Sequence, residues 1–126
     1  MKARVLLIED DEATREIISL TLGKAGHVVH GVESAEEGFE ALSKGPYDVV
    51  LMDIGLPGMS GVEACRRMKA APATAKTPVI LVTVQGRAKA KVEGLDAGAD
   101  DYVVKPVQPA VLTARLTALL RRYGKI

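Results

Sequence analysis

The chain has 126 residues, of which 48% are hydrophobic and 26% charged. That length and balance describe one domain with a real core and exclude a disordered segment. Seventeen Lys and Arg against sixteen Asp and Glu give a net charge of +1, which excludes the basic field of a dedicated nucleic-acid-binding domain, and a single cysteine excludes a disulfide framework or a multi-Cys zinc site. No apolar run approaches the roughly 20 residues that cross a bilayer. Met1-Lys2-Ala3-Arg4 leads into only four consecutive apolar residues, which is not a signal-peptide layout. The expectation is a soluble, cytoplasmic protein with no membrane and no direct nucleic-acid partner. Aromatics are 3% with no Trp, so there is no stacking platform for single strands.

In chain order, short apolar runs alternate with helix-periodic stretches. The runs are Val5-Leu6-Leu7-Ile8, Val28-Val29, Val49-Val50-Leu51-Met52, Val79-Ile80-Leu81-Val82 and Val103-Val104. Most are continuous and rich in Val and Ile, the pattern of strands covered on both faces. Between them, Ala13, Ile17, Leu20, Thr21 and Lys24 keep helical spacing, with Ile18 and Leu22 widening the stripe. Val62, Cys65 and Met68 do the same, as do Ala88, Val92 and Leu95. Leu112, Leu116, Leu119, Leu120 and Tyr123 form the last stripe. Ser34-Ala35-Glu36-Glu37 predicts a capping box, Gly26 and Gly45 predict helix ends, and Pro109 fits a first helical turn. The sum is an α/β chain of the (βα)5 type. It predicts a flavodoxin-like, doubly wound, five-stranded parallel sheet of order 2-1-3-4-5, spanning residues 1–126 as one domain.

Ligands of such sheets bind beyond the carboxyl ends of the strands. Strand 1 leaves Glu9-Asp10-Asp11 there, strand 3 leaves Asp53, strand 4 leaves Thr83, and strand 5 leaves Lys105-Pro106. Strands 1 and 3 are neighbours in this order, so their carboxylates crowd together. Two carboxylates about 4 Å apart repel by roughly 4 kcal/mol at an effective dielectric of 20. A proton or a cation must offset that, and hard oxygen ligands suit Mg2+ (or Mn2+). A lysine and a threonine on the same rim suit an anion beside the metal. The combination points to phosphorylation of a carboxylate.

At this point four motifs resemble the receiver domains of two-component response regulators. They are Val5-Leu6-Leu7-Ile8-Glu9-Asp10-Asp11-Glu12, Met52-Asp53-Ile54-Gly55-Leu56-Pro57-Gly58-Met59-Ser60-Gly61, Val79-Ile80-Leu81-Val82-Thr83 and Gly98-Ala99-Asp100-Asp101-Tyr102-Val103-Val104-Lys105-Pro106. The resemblance implies that Asp53 accepts the phosphoryl group from a sensor histidine kinase or phosphotransfer protein. It implies that Glu9, Asp10, Asp53 and the backbone carbonyl of Gly55 hold Mg2+, and that Lys105 and Thr83 contact the phosphoryl oxygens. Thr83 and Tyr102 match the switch pair, the Lys105–Pro106 peptide is implied to be cis, and Gly55, Val84 and Gln85 occupy rim positions that tune rates. It implies a signalling module rather than an enzyme of separate substrates, acting on an unknown downstream protein.

Departures from the pattern matter. Val84 stands where a small residue is commonest, so its bulk is expected to narrow access to the phosphoryl group. Ala97 and Val111 stand where dimerising receivers carry charge pairs, which favours a monomer or a weak phosphorylation-dependent dimer. Several alternatives stay open: a stand-alone regulator, a receiver excised from a hybrid kinase or a cyclic-dinucleotide synthase, or a degenerate receiver acting as a constitutive binding module. A dehalogenase-type phosphatase needs a second Asp where Gly55 stands. A flavodoxin needs a phosphate loop where Glu9-Asp10-Asp11 would repel phosphate. Elsewhere, Asp11 and Glu12 read as helix-capping acids, Asp100 and Asp101 as turn and surface residues, Cys65 as core, and His27 and His30 as too isolated for a metal site.

Overall fold

Alternate residues of the central strands enter two different cores, and this settles where the helices lie. The computed structural model describes residues 2–84 and 88–126. Five strands, β1 (Arg4–Ile8), β2 (Val28–Val32), β3 (Val49–Asp53), β4 (Val79–Val84) and β5 (Asp101–Lys105), alternate with five helices. The helices are α1 (Glu12–Lys24), α2 (Ala35–Lys44), α3 (Gly61–Ala70), α4 (Ala88–Asp96) and α5 (Pro109–Arg122). All strand pairs are parallel and the order is β2-β1-β3-β4-β5. This is the flavodoxin-like sheet expected from the alternation of runs. Leu6, Ile8, Val50, Met52 and Leu81 face one way, onto Ala41 of α2 and Val62, Cys65 and Met68 of α3. Val5, Leu7, Val49, Leu51, Ile80 and Val82 face the other way, onto Ile18 and Leu22 of α1 and the four leucines of α5. Each fully buried Leu or Ile contributes roughly 1.5–3 kcal/mol of burial.

Two helical stripes differ from expectation. On α1, Ile17 and Leu20 are 54% and 65% exposed, while Ile18 and Leu22 are buried. On α4, Val92 and Leu95 point to solvent at 59% and 47% exposure. Among the side chains described there, the buried ones are Gly94 and, just past the helix, Ala97. A methyl built on Gly94 would stand 2.5 Å from Leu81 Cδ1, so α4 lies close to β4 and has no room for larger side chains. Tyr123, at the end of the α5 stripe, is 38% exposed.

Asp11, Ser34 and Ser60 cap α1, α2 and α3, accepting from the N–H groups of Thr14, Glu37 and Glu63. The box at Ser34 is half formed: the Ser34 hydroxyl donates to Glu37 Oε1 at 3.3 Å, where a full box would bring that carboxylate to the cap N–H. Gly26 has φ 97°, the left-handed turn after α1, whereas Gly45 ends α2 in extended backbone. Asp100 is no plain turn residue. Its Oδ2 accepts from Val79 N–H (2.8 Å) and Lys69 Nζ (3.3 Å), and its Oδ1 accepts from the Tyr123 hydroxyl. The cluster ties α3, β4, β5 and α5 together at the sheet end away from Asp53. The hydrogen bond to Asp100 raises the Tyr123 phenol to about 12.

His27 is buried, and its Nδ1 accepts from Ala3 N–H at 3.1 Å. Burial lowers its pKa below the usual 6.5. A His with a depressed folded pKa favours the fold above about pH 6.5 and loses that contribution as pH falls through the folded value. His27→Gln should therefore give a flatter fall in thermal midpoint between about pH 7 and pH 5 than wild type; equal slopes would remove His27 from the acid sensitivity.

Candidate functional site

The carboxyl ends of β1, β3, β4 and β5 converge on one cleft. Glu9 and Asp10 follow β1 directly, and Asp53 closes β3. Parallel pairing of Ile8 with Met52 brings these ends level. One carboxylate oxygen from each of Glu9, Asp10 and Asp53 lies within 4.8 Å of the others, and this is the acidic cluster of metal-binding geometry found among the described residues. Glu9 is 1% exposed and Asp53 7%, whereas Asp10 is open to solvent.

Lys105, from the end of β5, reaches into the cluster. Its Nζ stands 3.0 Å from Glu9 Oε1 and 3.1 Å from Asp53 Oδ2. Burial pulls the ammonium down, but the bonds to Glu9 and Asp53 outweigh it and hold its pKa above the usual lysine value. Glu9 moves the other way: burial pushes its carboxyl up, only partly offset by the Asp11 N–H and by Lys105. Glu9 Oε2 accepts that N–H at 3.0 Å, while Oε1 has only its ionic contact with Lys105. Asp53 Oδ1 accepts from Gly55 N–H at 3.1 Å. Three hard oxygen donors and spare acceptor capacity on a buried carboxylate fit a divalent cation.

Beside the carboxylates is a cavity of about 210 Å³ lined by Asp53, Ile54, Gly55, Thr83, Val84 and Lys105. Thr83 is buried, and its hydroxyl has only a long contact, 3.5 Å, to the Val84 carbonyl, so it is available to another acceptor. Val84 is half exposed at the rim. Gln85 lies outside the described residues. Tyr102 sits apart from the cluster, partly buried, with Lys91 Nζ 4.9 Å and the Arg115 guanidinium 5.9 Å from its ring centroid. The Lys105–Pro106 peptide is cis. A wider apolar groove of about 740 Å³, between Ile17 and Leu20 of α1 and Pro109 and Ala110 of α5, shares no residue with this chemistry. Arg15 was not singled out from the sequence: its guanidinium lies against the Glu9 backbone. A lone Arg one turn into a helix carries no local signature.

The comparisons agree with this geometry. The family model described as response regulator receiver domain matches residues 5–117, and the chain belongs to that family. The transcriptional regulatory protein AfsQ1 of Streptomyces coelicolor is 46% identical over 118 residues, covering 94% of this chain and 51% of that protein. A crystal structure from Chloroflexus aurantiacus J-10-fl, of a protein assigned to the response regulators, has a TM-score of 0.93 at 34% identity, covering 96% of this chain and 99% of that one. The receiver domain of the Pseudomonas aeruginosa sensor histidine kinase PA1611, solved with a magnesium ion in its active-site cleft, has a TM-score of 0.87 at 28% identity, covering 95% and 98%. The chain spans about half the length of most of the first curated relatives it matches, and 18% of one of them. It is a receiver domain of two-component systems, a signalling module. Among the described residues no helix is long and apolar enough to cross a membrane.

Proposed function

We propose that this receiver accepts a phosphoryl group on Asp53 from a phosphohistidine of a sensor kinase or phosphotransfer protein, with Mg2+ held by Glu9, Asp10, Asp53 and the Gly55 carbonyl. The observation that carries the reading is Lys105 Nζ, in contact with Glu9 and Asp53 at once beside the Thr83 cavity. In the transfer, an Asp53 carboxylate oxygen bonds to phosphorus, the bond from phosphorus to the histidine nitrogen breaks, and that nitrogen leaves with its electron pair. The metal supplies neutralisation of phosphoryl charge when bound. Lys105 supplies a further fixed positive charge and the Thr83 hydroxyl a donor, so the chain contributes positioning and electrostatics. The state that results is read by protein contacts, with Thr83 and Tyr102 as the switch, Gly55 and Val84 on the rim of the cleft, and Gly55, Val84 and Gln85 setting the rates. The setting is the cytoplasm, where histidine kinases present their phosphohistidine.

The test is intact mass after treatment with phosphoramidate and Mg2+. Wild type should gain one phosphate that is labile to base, and Asp53→Asn should gain none. No gain in wild type would turn the reading to a constitutive binding module.

A further inference from the structure

We infer that Arg15 is a positioning residue for the acidic pair Glu9 and Asp10, acting on the peptide between them. The inference rests on the proposed cleft as a divalent-metal and phosphoryl site. Arg15 lies on α1, four residues after the Asp11 cap, with its side chain 19% exposed. Its Nη1 donates to the Glu9 carbonyl at 2.8 Å, and its Nη2 stands 3.5 Å from Glu33 Oε1 in the loop after β2. The Glu9 carbonyl belongs to the Glu9–Asp10 peptide, so its orientation sets the direction from which the Asp10 side chain leaves the backbone. The rest of Glu9 is also held. Its N–H donates to the Val32 carbonyl at 3.0 Å, its Oε2 accepts from Asp11 N–H, and its Oε1 meets Lys105. Among the described residues, Arg15 is the side-chain donor to the carbonyl side of this turn.

Space for the guanidinium is built into the neighbouring strand. A methyl on Gly31 would stand 3.1 Å from Arg15 Cδ and 3.2 Å from Cγ, so the bare backbone of β2 lets the arginine stem cross it. The guanidinium spends its hydrogen bond on a neutral carbonyl. It thereby leaves the carboxylates of Glu9 and Asp10 to the cleft, whereas Lys105 contacts the Glu9 carboxylate directly. Groups that orient metal ligands from behind change metal affinity by roughly 10–100-fold when removed.

The sign of the effect separates positioning from charge. Removing a cation close to a dication site strengthens binding if charge alone matters, because the repulsion goes. It weakens binding if Arg15 works by orienting the Glu9–Asp10 peptide. Mn2+ binding is measured by the electron-paramagnetic-resonance signal of the free ion, for wild type, Arg15→Ala and Arg15→Lys, alongside the metal-free thermal midpoint. We expect Arg15→Ala to bind Mn2+ roughly tenfold more weakly and Arg15→Lys, which restores a donor, to recover part of the loss. A purely structural role would lower the metal-free midpoint and leave the Mn2+ affinity of the folded protein unchanged. Unchanged or tighter Mn2+ binding in Arg15→Ala would overturn the inference. Should Arg15→Ala fail to fold, Arg15→Met, which keeps the stem without the donor, takes its place, and unchanged or tighter Mn2+ binding in it would do the same. Wild type that binds no Mn2+ and takes no phosphate would instead overturn the reading of the cleft, and the role of Arg15 with it.

Discussion

Gly61→Ala should cost about 3 kcal/mol or more of folding stability and disturb the Asp53 cleft at the same time. Gly61 opens α3, directly after the Ser60 cap, and its N–H donates to the Ile54 carbonyl at 2.9 Å. A methyl there would stand 2.2 Å from the Asp53 carbonyl oxygen, 2.9 Å from its carbonyl carbon and 2.9 Å from Ile54 Cα. All three atoms are backbone. They cannot rotate away as the tip of a side chain can, so either α3 or the Asp53–Ile54 segment must move. The segment carries the Asp53 carboxylate, the acceptor in the proposed function, which ties the geometry of the cleft to the start of a helix.

Gly38→Ala is the control. Its methyl would meet only Ile8, at 2.4 Å from Cδ1, the far end of a flexible side chain in a core. Repacking there should cost about 1 kcal/mol, the lower end for overpacking. Denaturant midpoints followed by circular dichroism compare the two. Equal losses would show that α3 is free to slide and that Gly61 has no special place. A large loss in Gly61→Ala with normal phosphate uptake in the folded fraction would separate helix packing from site geometry.

Burial on both faces made the strands legible in the chain. β1, β3 and β4 are covered above and below, and a continuous run of Val and Ile suits such a strand better than an amphipathic helix or a half-exposed strand. From their order, the meeting of Glu9, Asp10, Asp53 and Lys105 at one sheet end followed. The helices were less legible. Ile17, Leu20, Val92 and Leu95 have helical spacing yet face solvent, because periodicity reveals a stripe without saying which side the sheet takes. Among the described side chains of α4, the one packed on the sheet is a glycine, which no hydrophobic pattern marks. Asp100 was obscure because its contacts are remote in sequence. Its partners Val79, Lys69 and Tyr123 are 21, 31 and 23 residues away, and only the folded chain brings them together. The ion pair of Lys105 with both carboxylates is likewise tertiary information: a lysine at a strand end says nothing of which oxygen it reaches.

That ion pair sets the second large effect, which is a pair of opposite signs. Without divalent metal, Lys105→Met should destabilise the fold and Asp53→Asn should stabilise it. At an effective dielectric of 20, the attraction of Asp53 to Lys105 at 3.1 Å is about 5 kcal/mol, and each repulsion within 4.8 Å is at least about 3.5 kcal/mol. Asp53 meets two such repulsions, from Glu9 and Asp10, and one attraction, so its charge is a net burden. Solvent around exposed Asp10 screens part of this, leaving a gain of about 1 kcal/mol for Asp53→Asn. Lys105→Met removes the only cation in contact with the Glu9 carboxylate among the described residues and strands a group that is 1% exposed. Removing one partner of a buried pair typically costs about 3–5 kcal/mol, and the partial exposure of Lys105 places this case near the lower figure. Added Mg2+ should stabilise wild type by about 2.7 kcal/mol at one hundred times its dissociation constant. It should help Asp53→Asn less, since one ligand is gone. It should help Lys105→Met at least as much as wild type, since the dication replaces the missing charge. Thermal melts of the three proteins with chelator and with Mg2+ decide the matter. An Asp53→Asn protein less stable than wild type in chelator, or a Lys105→Met protein equal to it, would mean that the three carboxylates do not share one electrostatic site.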